Sequence, residues 1–509
     1  MQPRSTKIVF VTLIAVANAL MAGCASFNHT APESSRIDPA TLDAGAAIRS
    51  ANAEAQWPSQ QWWHALGDPQ LNGLVERSLD KNPTLAVVQA RVREAEAAAD
   101  LAHASLYPRV DGSMALGRKH FPDNTYYGPG AYNHTTTWNN TAGLSLSYNL
   151  DLWGRDHNAL LRSLDASHAA ATDERAAAVE LQSNVVRTYL TLSLSFALRD
   201  IAVSTLEQQE HIASIAQRRL AGGIGTRLDL SQAVAPLPEF KRQIQVYDQT
   251  IALTRNQLAA LTGDGPGFGE SITRPVLSLA THAQLPSNLP AELVGRRPDV
   301  VAAKWMVAAQ ARGIDVAKAQ FYPNVNLMAS ITQMAAGGTF LTFLHPEGTG
   351  WMAGPAITLP IFEGGALRAQ LGVASAQYDE AISRYNAVLI SALKDISDQV
   401  VNVRSFDAQA EDSADSVAAA QDSYQLADKG YRRGLTDYLN VLTAQMQLLK
   451  AREGQAHVQV SQLQAYASLQ TALGGGADIA FQSPNEKQMT PSDHLTPFGF
   501  NTSSKPGEK

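Results

Sequence analysis

The sequence predicts a mainly α protein with a small β portion of membrane-barrel type, built as two copies of one helix-strand-strand-long helix-helix unit. Three observations carry that prediction. Residues 155–221 run for 67 positions without Pro or Gly, and Val179, Val186, Leu190, Leu194, Ala197 and Ile201 step at coiled-coil spacing. Residues 137–150 alternate instead: Trp138, Asn140, Ala142, Leu144, Leu146, Tyr148 and Leu150 share one face, while Asn139, Thr141, Gly143, Ser145, Ser147 and Asn149 share the other. Finally, Leu106-Tyr107-Pro108-Arg109-Val110 returns 215 residues later as Phe321-Tyr322-Pro323-Asn324-Val325.

In chain order, residues 1–23 have the form of a signal peptide. Arg4 and Lys7 give a positive start, residues 8–20 are mostly apolar, and Met21-Ala22-Gly23 precedes Cys24, the single cysteine. A Cys directly after such a segment resembles a bacterial lipobox, so Cys24 is expected to carry acyl chains. One cysteine excludes an intramolecular disulfide and a Cys-based metal cluster. Residues 24–68 read as an arm with Pro32, Pro39 and Pro58, docked by Trp57, Trp62 and Trp63.

The first repeat, residues 69–262, opens with a helical pattern to His103 that contains Asn82-Pro83 and ends at Tyr107-Pro108. Residues 109–116 alternate, a Gly/Asn/Tyr-rich loop follows, and then come the strand at 137–150 and the long helix. Gly222-Gly223-Ile224-Gly225 interrupts that helix, which resumes at Arg227 and holds Pro236 and Pro238. Residues 263–289 read as a Gly/Pro-rich linker. The second repeat, residues 290–473, repeats the order: Arg297-Pro298, strands at 324–332 and 350–362, the stripe Ile382, Leu389, Leu393, Ile396, Val400 and Val403, and a Gly break at Gly434-Leu435-Thr436-Asp437. Pro355 and Pro360 weaken the last strand. Residues 474–509 form a tail.

A 67-residue helix is about 100 Å long, which suits the wall of a channel better than a compact domain. No apolar run after Cys24 is long enough for a membrane helix. Strands that face lipid on one side must close into a barrel, and barrels begin at about eight strands. Four strands per chain therefore require at least a dimer.

The chain resembles the TolC/OprM outer membrane factors, in the NodT-type efflux lipoprotein subgroup. The resemblance rests on Leu293-Val294-Gly295-Arg296-Arg297-Pro298-Asp299-Val300, on Leu150-Asp151-Leu152-Trp153-Gly154-Arg155, on Leu359-Pro360-Ile361-Phe362-Glu363-Gly364-Gly365 and on the two Gly breaks. It implies a homotrimer with a 12-stranded barrel in the bacterial outer membrane and a long α-helical tunnel in the periplasm. It also implies a periplasmic adaptor (membrane fusion) protein and an inner-membrane pump as partners, with drugs or aromatic acids as exported compounds. The Leu-Pro-Ile-Phe-Glu-Gly-Gly ending is similar to members paired with fusaric-acid-type exporters. Pro298 and Asp299 also suit a helix start on their own account.

By the same resemblance, Gly223, Arg227, Leu228, Asp229, Gly434, Asp437, Tyr438 and Leu439 lie at the periplasmic aperture and adaptor-docking tip. Thr443 and Met446 stand where relatives often carry an Asp and an Arg, so closure is expected from Leu439 and Tyr438 packing, with Asp229 and Asp437 adding a cation-attracting ring. Pro236 and Pro238 predict a kink or local unwinding just past the tip.

Other chemistry finds no support. The twelve His are scattered, HExxH, GxSxG and Walker A are absent, and no cofactor is expected. The net charge of −7 with no basic block argues against nucleic acid. A periplasmic adaptor or a structural coiled-coil lipoprotein stays open as an alternative. An adaptor would carry one hairpin between lipoyl-like segments, and a structural lipoprotein would need no polar-faced strands.

Overall fold

The computed structural model describes residues 31–43, 57–122, 134–278, 295–477, 484 and 487–491. The signal segment, Cys24, the end of the linker, the Leu293-Val294 start of the repeat-2 motif and most of the tail lie outside the described residues.

The first repeat contains α1 (Pro69–Lys81), α2 (Pro83–Ala104), β1 (Arg109–Ala115), β2 (Arg118–His120), β3 (Thr136–Leu150), α3 (Arg155–Ala221), α4 (Arg227–Val234), α5 (Leu237–Leu261) and α6 (Pro266–Glu270). The second contains α7 (Pro298–Ala319), β4 (Asn324–Ala336), β5 (Thr349–Thr358), α8 (Ala366–Arg432) and α9 (Tyr438–Ala472). Both long helices have 67 residues, and both follow a left-handed glycine, Gly154 at φ 70° and Gly365 at φ 92°. A Cβ is disfavoured at that torsion, so glycine sets the turn into each long helix.

Three expectations need correction. The pattern over 69–103 is two helices, because Asn82 leaves the helical region and its Oδ1 accepts from the amides of Thr84 and Leu85 to start α2. The expected bare linker holds α6, and its Asp264 forms a two-point ion pair with Arg77. The last strand stops at Thr358, before Pro360. Pro355 lies inside β5 opposite Leu327, and among the described residues that strand pairs with β4.

The strands form one antiparallel sheet, β1-β3-β4-β5, with β2 continuing the β1 edge beyond a break at Leu116-Gly117. Cross-strand pairs Val110–Leu146, Leu144–Ile331, Tyr148–Leu327 and Ile331–Trp351 lie on one face. Leu144, Ile331, Trp351 and Ile357 are exposed there. Asp111, Ser145, Ser147, Asn326, Ser330 and Thr332 lie on the other face, joined by Met328 and Met352. From Trp138 to Leu150 the strand runs about 40 Å, or about 28 Å of depth at a 45° tilt. Aromatic residues mark both ends. Trp138 meets Phe340 at one, and Trp153 stacks on Tyr322 at 4.6 Å at the other.

The helices pack around α3, which touches α1, α2, α5, α7 and α9. Helix α7 lies between α3 and α8, and its core contains Val300, Val307, Ala308 and Ile314. At its entry the half-buried Arg297 guanidinium bonds Asp299 at 2.6 Å, the Ala472 carbonyl at 3.3 Å and the Ala392 carbonyl at 3.5 Å. It thus ties three helices together, while Pro298 occupies the first helical turn.

The arm is docked as expected. Trp62 and Trp63 are buried, and Arg296 lies over the Trp57 ring. Residues 33–37 run along α8, with the Ser34 amide on Asp379 and the Ile37 amide on Asn386.

Candidate functional site

The end of the helical body farthest from the sheet is where the Gly breaks fall. Helix α3 stops at Arg218-Arg219-Leu220-Ala221, and Gly223 turns the chain at φ 74°. The amides of Ile224 and Gly225 close onto the Arg219 carbonyl. Thr226 and Asp229 then form a reciprocal capping box that starts α4. The second turn copies the first. Gly434 takes φ 75°, the Leu435 amide closes onto the Gly430 carbonyl, and Asp437 caps α9 through the Asn440 amide at 3.2 Å. No atom would meet a Cβ at Gly223 or Gly434, so both turns leave open space beside the backbone.

The exposed residues of the two turns correspond one to one: Ile224 with Leu435 and Leu228 with Leu439. Leu439, Thr443 and Met446 form one exposed stripe on α9, and Thr443 donates its hydroxyl back to the Leu439 carbonyl. Leu439 is 59% exposed, but Tyr438 beside it is 1% exposed. Tyr438 points into a core of Ile212, Ala216, Ala233, Tyr431 and Val441. Burial pushes its hydroxyl up in pKa, opposed by the Gln209 amide.

Three residues absent from the sequence reading hold the two turns together. The Gln209 Nε2 donates to the Ala233 carbonyl at 2.6 Å and to the Tyr438 hydroxyl at 2.8 Å. Arg219 donates to the Tyr431 carbonyl at 2.9 Å and lies over the Tyr431 ring. Tyr431 meets Tyr438 edge-on at 5.9 Å. Tyr431 and Tyr438 were findable as aromatics seven apart across a Gly break. Gln209 and Arg219 sit in an Ala-rich polar run that offers no signal.

The acids expected to form a cation-attracting ring have partners within their own turns. Asp229 and Asp437 are both taken up as helix caps. The same turns also carry Arg218, Arg227, Lys429 and Arg433, so the tip is not an acidic surface. The expected joint at Pro236 and Pro238 is a break rather than an unwinding: α4 ends at Val234 and α5 begins at Leu237, while Ala235 and Pro236 keep right-handed helical torsions. The hydrogen-bond ladder is interrupted there.

Among the described residues no group of His, Cys, Asp or Glu is placed to hold a metal ion, and no helix is long and apolar enough to cross a membrane.

The family model described as outer membrane efflux protein matches residues 74–264 and 289–475. The chain is 51% identical over 376 residues to the fusaric acid resistance protein FusA of Burkholderia cepacia, covering 74% of this chain and 71% of that one. It is 30% identical to the pyoverdine export outer membrane protein OpmQ of Pseudomonas aeruginosa, over 86% and 93% of the two chains. The outer membrane protein VceC of Vibrio cholerae superposes with a TM-score of 0.77 at 30% identity, covering 82% of this chain and all of that one.

Proposed function

Because the chain belongs to the outer membrane efflux protein family, and is the outer-membrane channel of an efflux system, we propose that three copies close its sheet into one 12-stranded barrel above a periplasmic tunnel. The carrying observation is the sheet itself. Its apolar face is exposed across β1, β3, β4 and β5, and among the described residues β1 and β5 each leave one edge unpaired. Lipid tolerates the first and forbids the second. Joining the β1 edge of one copy to the β5 edge of the next satisfies both. Two copies would give a lumen filled by side chains, and three leave a passage.

The tunnel moves solutes by diffusion and forms no bonds with them. Ser145, Ser147, Asn326 and Thr332 on the inward face suit small polar or amphipathic cargo. The 51% identity to FusA supports aromatic acids as that cargo. Gly223, Arg227, Leu228, Asp229, Gly434, Asp437, Tyr438 and Leu439 build the tip. The two open-backed glycine turns are the natural seat for an adaptor, with the pump beyond it. Exposed Leu228 and Leu439 would narrow the aperture, while Tyr438 acts from behind by fixing the angle of α9.

Cys24 anchors the arm to the inner leaflet of the outer membrane by acyl chains. Reach supports it. The Ser34 amide sits at Asp379, about 20 Å of helix from Ala366 at the membrane end of α8. The ten residue steps from Cys24 to Ser34 span about 34 Å when extended.

Metabolic labelling with palmitate, followed by detergent extraction, cross-linking and planar-bilayer recording, tests the reading. Label on the wild type but not on Cys24→Ser, a ladder ending at three and a single conducting species are expected. A ladder ending at two would remove the 12-stranded barrel, and equal labelling would remove the anchor.

A further inference from the structure

The outer rim of the sheet carries a feature that channel conduction does not use. Residues 337–348 join β4 to β5 and fold back over the apolar face. Asn140 holds them there. It lies on that face among Ala142 and Leu144 but is 1% exposed. Its Oδ1 accepts from the Gly117 amide at 3.0 Å, and its Nδ2 donates to the Phe340 carbonyl at 2.7 Å. Phe343 is buried as a second anchor, and Thr342 ties the turn through the Thr339 amide at 2.7 Å. The result is a compact foot that presents Phe340, Leu341 and Leu344 outward.

Basic side chains lie on the same face. Arg118 pairs across the sheet with Trp138, and its guanidinium stands 5.9 Å from that ring. Trp138 in turn meets Phe340 at 5.0 Å. His120, opposite Thr136, is the next outward residue on β2 and lies within 3.0 Å of the Thr136 hydroxyl. Lys119 points to the other face. The acid of the foot is Glu347, at its far end.

We propose that this rim docks an outer-leaflet lipid with a phosphorylated headgroup, its acyl chains on Phe340, Leu341 and Leu344 and its phosphate on Arg118 and His120. The occupant follows from continuity: the foot extends the band of Leu144, Ile331 and Trp351, which faces hydrocarbon. The Phe340 carbonyl and the Thr339 amide are satisfied internally, as contact with lipid demands. A cation stacked against an aromatic at that depth matches the boundary where an acyl chain meets an anionic headgroup.

The inference rests on the barrel reading, and the test keeps the two apart. Detergent-solubilised wild-type channel is mixed with bis-phosphorylated lipid A or its dephosphorylated form, and bound lipid is read by native mass spectrometry, with conductance recorded from the same preparation. The wild type is expected to retain the phosphorylated form at least about fivefold better, the order expected per basic residue near a lipid surface. Arg118→Gln with His120→Gln should bring the two forms to parity, Arg118→Lys should keep most of the preference, and Glu347→Gln should not reduce it. A conducting wild type with no preference, or a double variant that keeps it, overturns the lipid site alone. A wild type that forms no conducting oligomer overturns the barrel and this inference with it.

Discussion

Helices α2 and α7 occupy the same place in the two repeats, are both 22 residues long and both begin with Pro, yet they differ in almost every contact. Helix α7 buries fifteen residues, whereas α2 buries Leu85 and Ala99. Composition does not explain it, since both are Ala-rich. Neighbours do. Helix α7 is held between α3 and α8, whereas α2 packs on α3 and, among the described residues, has no second long helix against it. The stripe Val87, Ala90, Ala97 and Leu101 on α2 is exposed, as are Val373, Ala376, Ala387 and Ile390 on α8, so the chain carries both halves of a contact it makes only once internally. A duplicated unit closed into a ring has this property: one junction lies inside the chain and the other between chains.

The largest expected effect breaks that comparison directly. Ala302 on α7 is 3% exposed, and Val87, its repeat counterpart on α2, is 53% exposed. A carboxylate buried without a partner costs several kcal/mol. Ala302→Glu should therefore abolish folding and leave little protein in the membrane. Val87→Glu should leave a folded chain with native-like circular dichroism that no longer cross-links as an oligomer. If Val87→Glu assembles normally, α2 is not the seam between copies.

The α3–α7 contact is the junction made inside the chain, and it has its own weak point. Asp165 is buried there, with one carboxylate oxygen lacking a hydrogen-bond partner, and burial raises its pKa to about 6 against the pull of Arg312. Because the folded pKa lies above the unfolded one, the folded chain binds more protons between about pH 4 and pH 6. Stability from this group therefore falls as pH rises through that window. Asp165→Asn should stabilise the chain by about 2–3 kcal/mol at pH 7, with the gain fading to zero below about pH 4. Thermal melts of both proteins at pH 7 and pH 4 check it. A gain that is the same at both would place the penalty elsewhere.

These contrasts also show what a sequence can and cannot reveal. The bounds of α3 are legible because Gly154 and Gly222 flank a run with no breaker, and because its stripe is continuous. β2 is not legible: Arg118-Lys119-His120 has no apolar alternation and is a strand only because β3 extends beside it. Asn140 reads as one member of a lipid-facing row, but a loop 200 residues away covers it. At the tip, glycines and capping acids announce themselves by local geometry. Gln209 matters through contacts 24 and 229 residues distant, which local pattern does not encode.

The smallest expected effect concerns two neighbours at the tip, where covered and uncovered meet in adjacent residues. Asp437 caps α9, and Asn caps a helix about as well as Asp. Asp437→Asn should therefore change helix stability by only a few tenths of a kcal/mol and leave closed-state conductance unchanged. Leu439 is 59% exposed within its own chain, so Leu439→Ala costs the protomer little. If its side chain packs against its copies at the aperture, however, each truncation loses about 1.5–3 kcal/mol of closed-state packing. An exposed ion pair contributes about 0–1 kcal/mol, and here the acid is already engaged as a cap. Leu439→Ala should thus admit vancomycin and raise single-channel conductance in the absence of partners, with Asp437→Asn matching wild type. Truncating Tyr438 tests the opposite case, because it removes a buried ring and should lower the melting temperature before it opens anything. If Asp437→Asn opens the pore while Leu439→Ala leaves it shut, closure is polar, and the exposed stripe of Leu439, Thr443 and Met446 serves the adaptor rather than the gate.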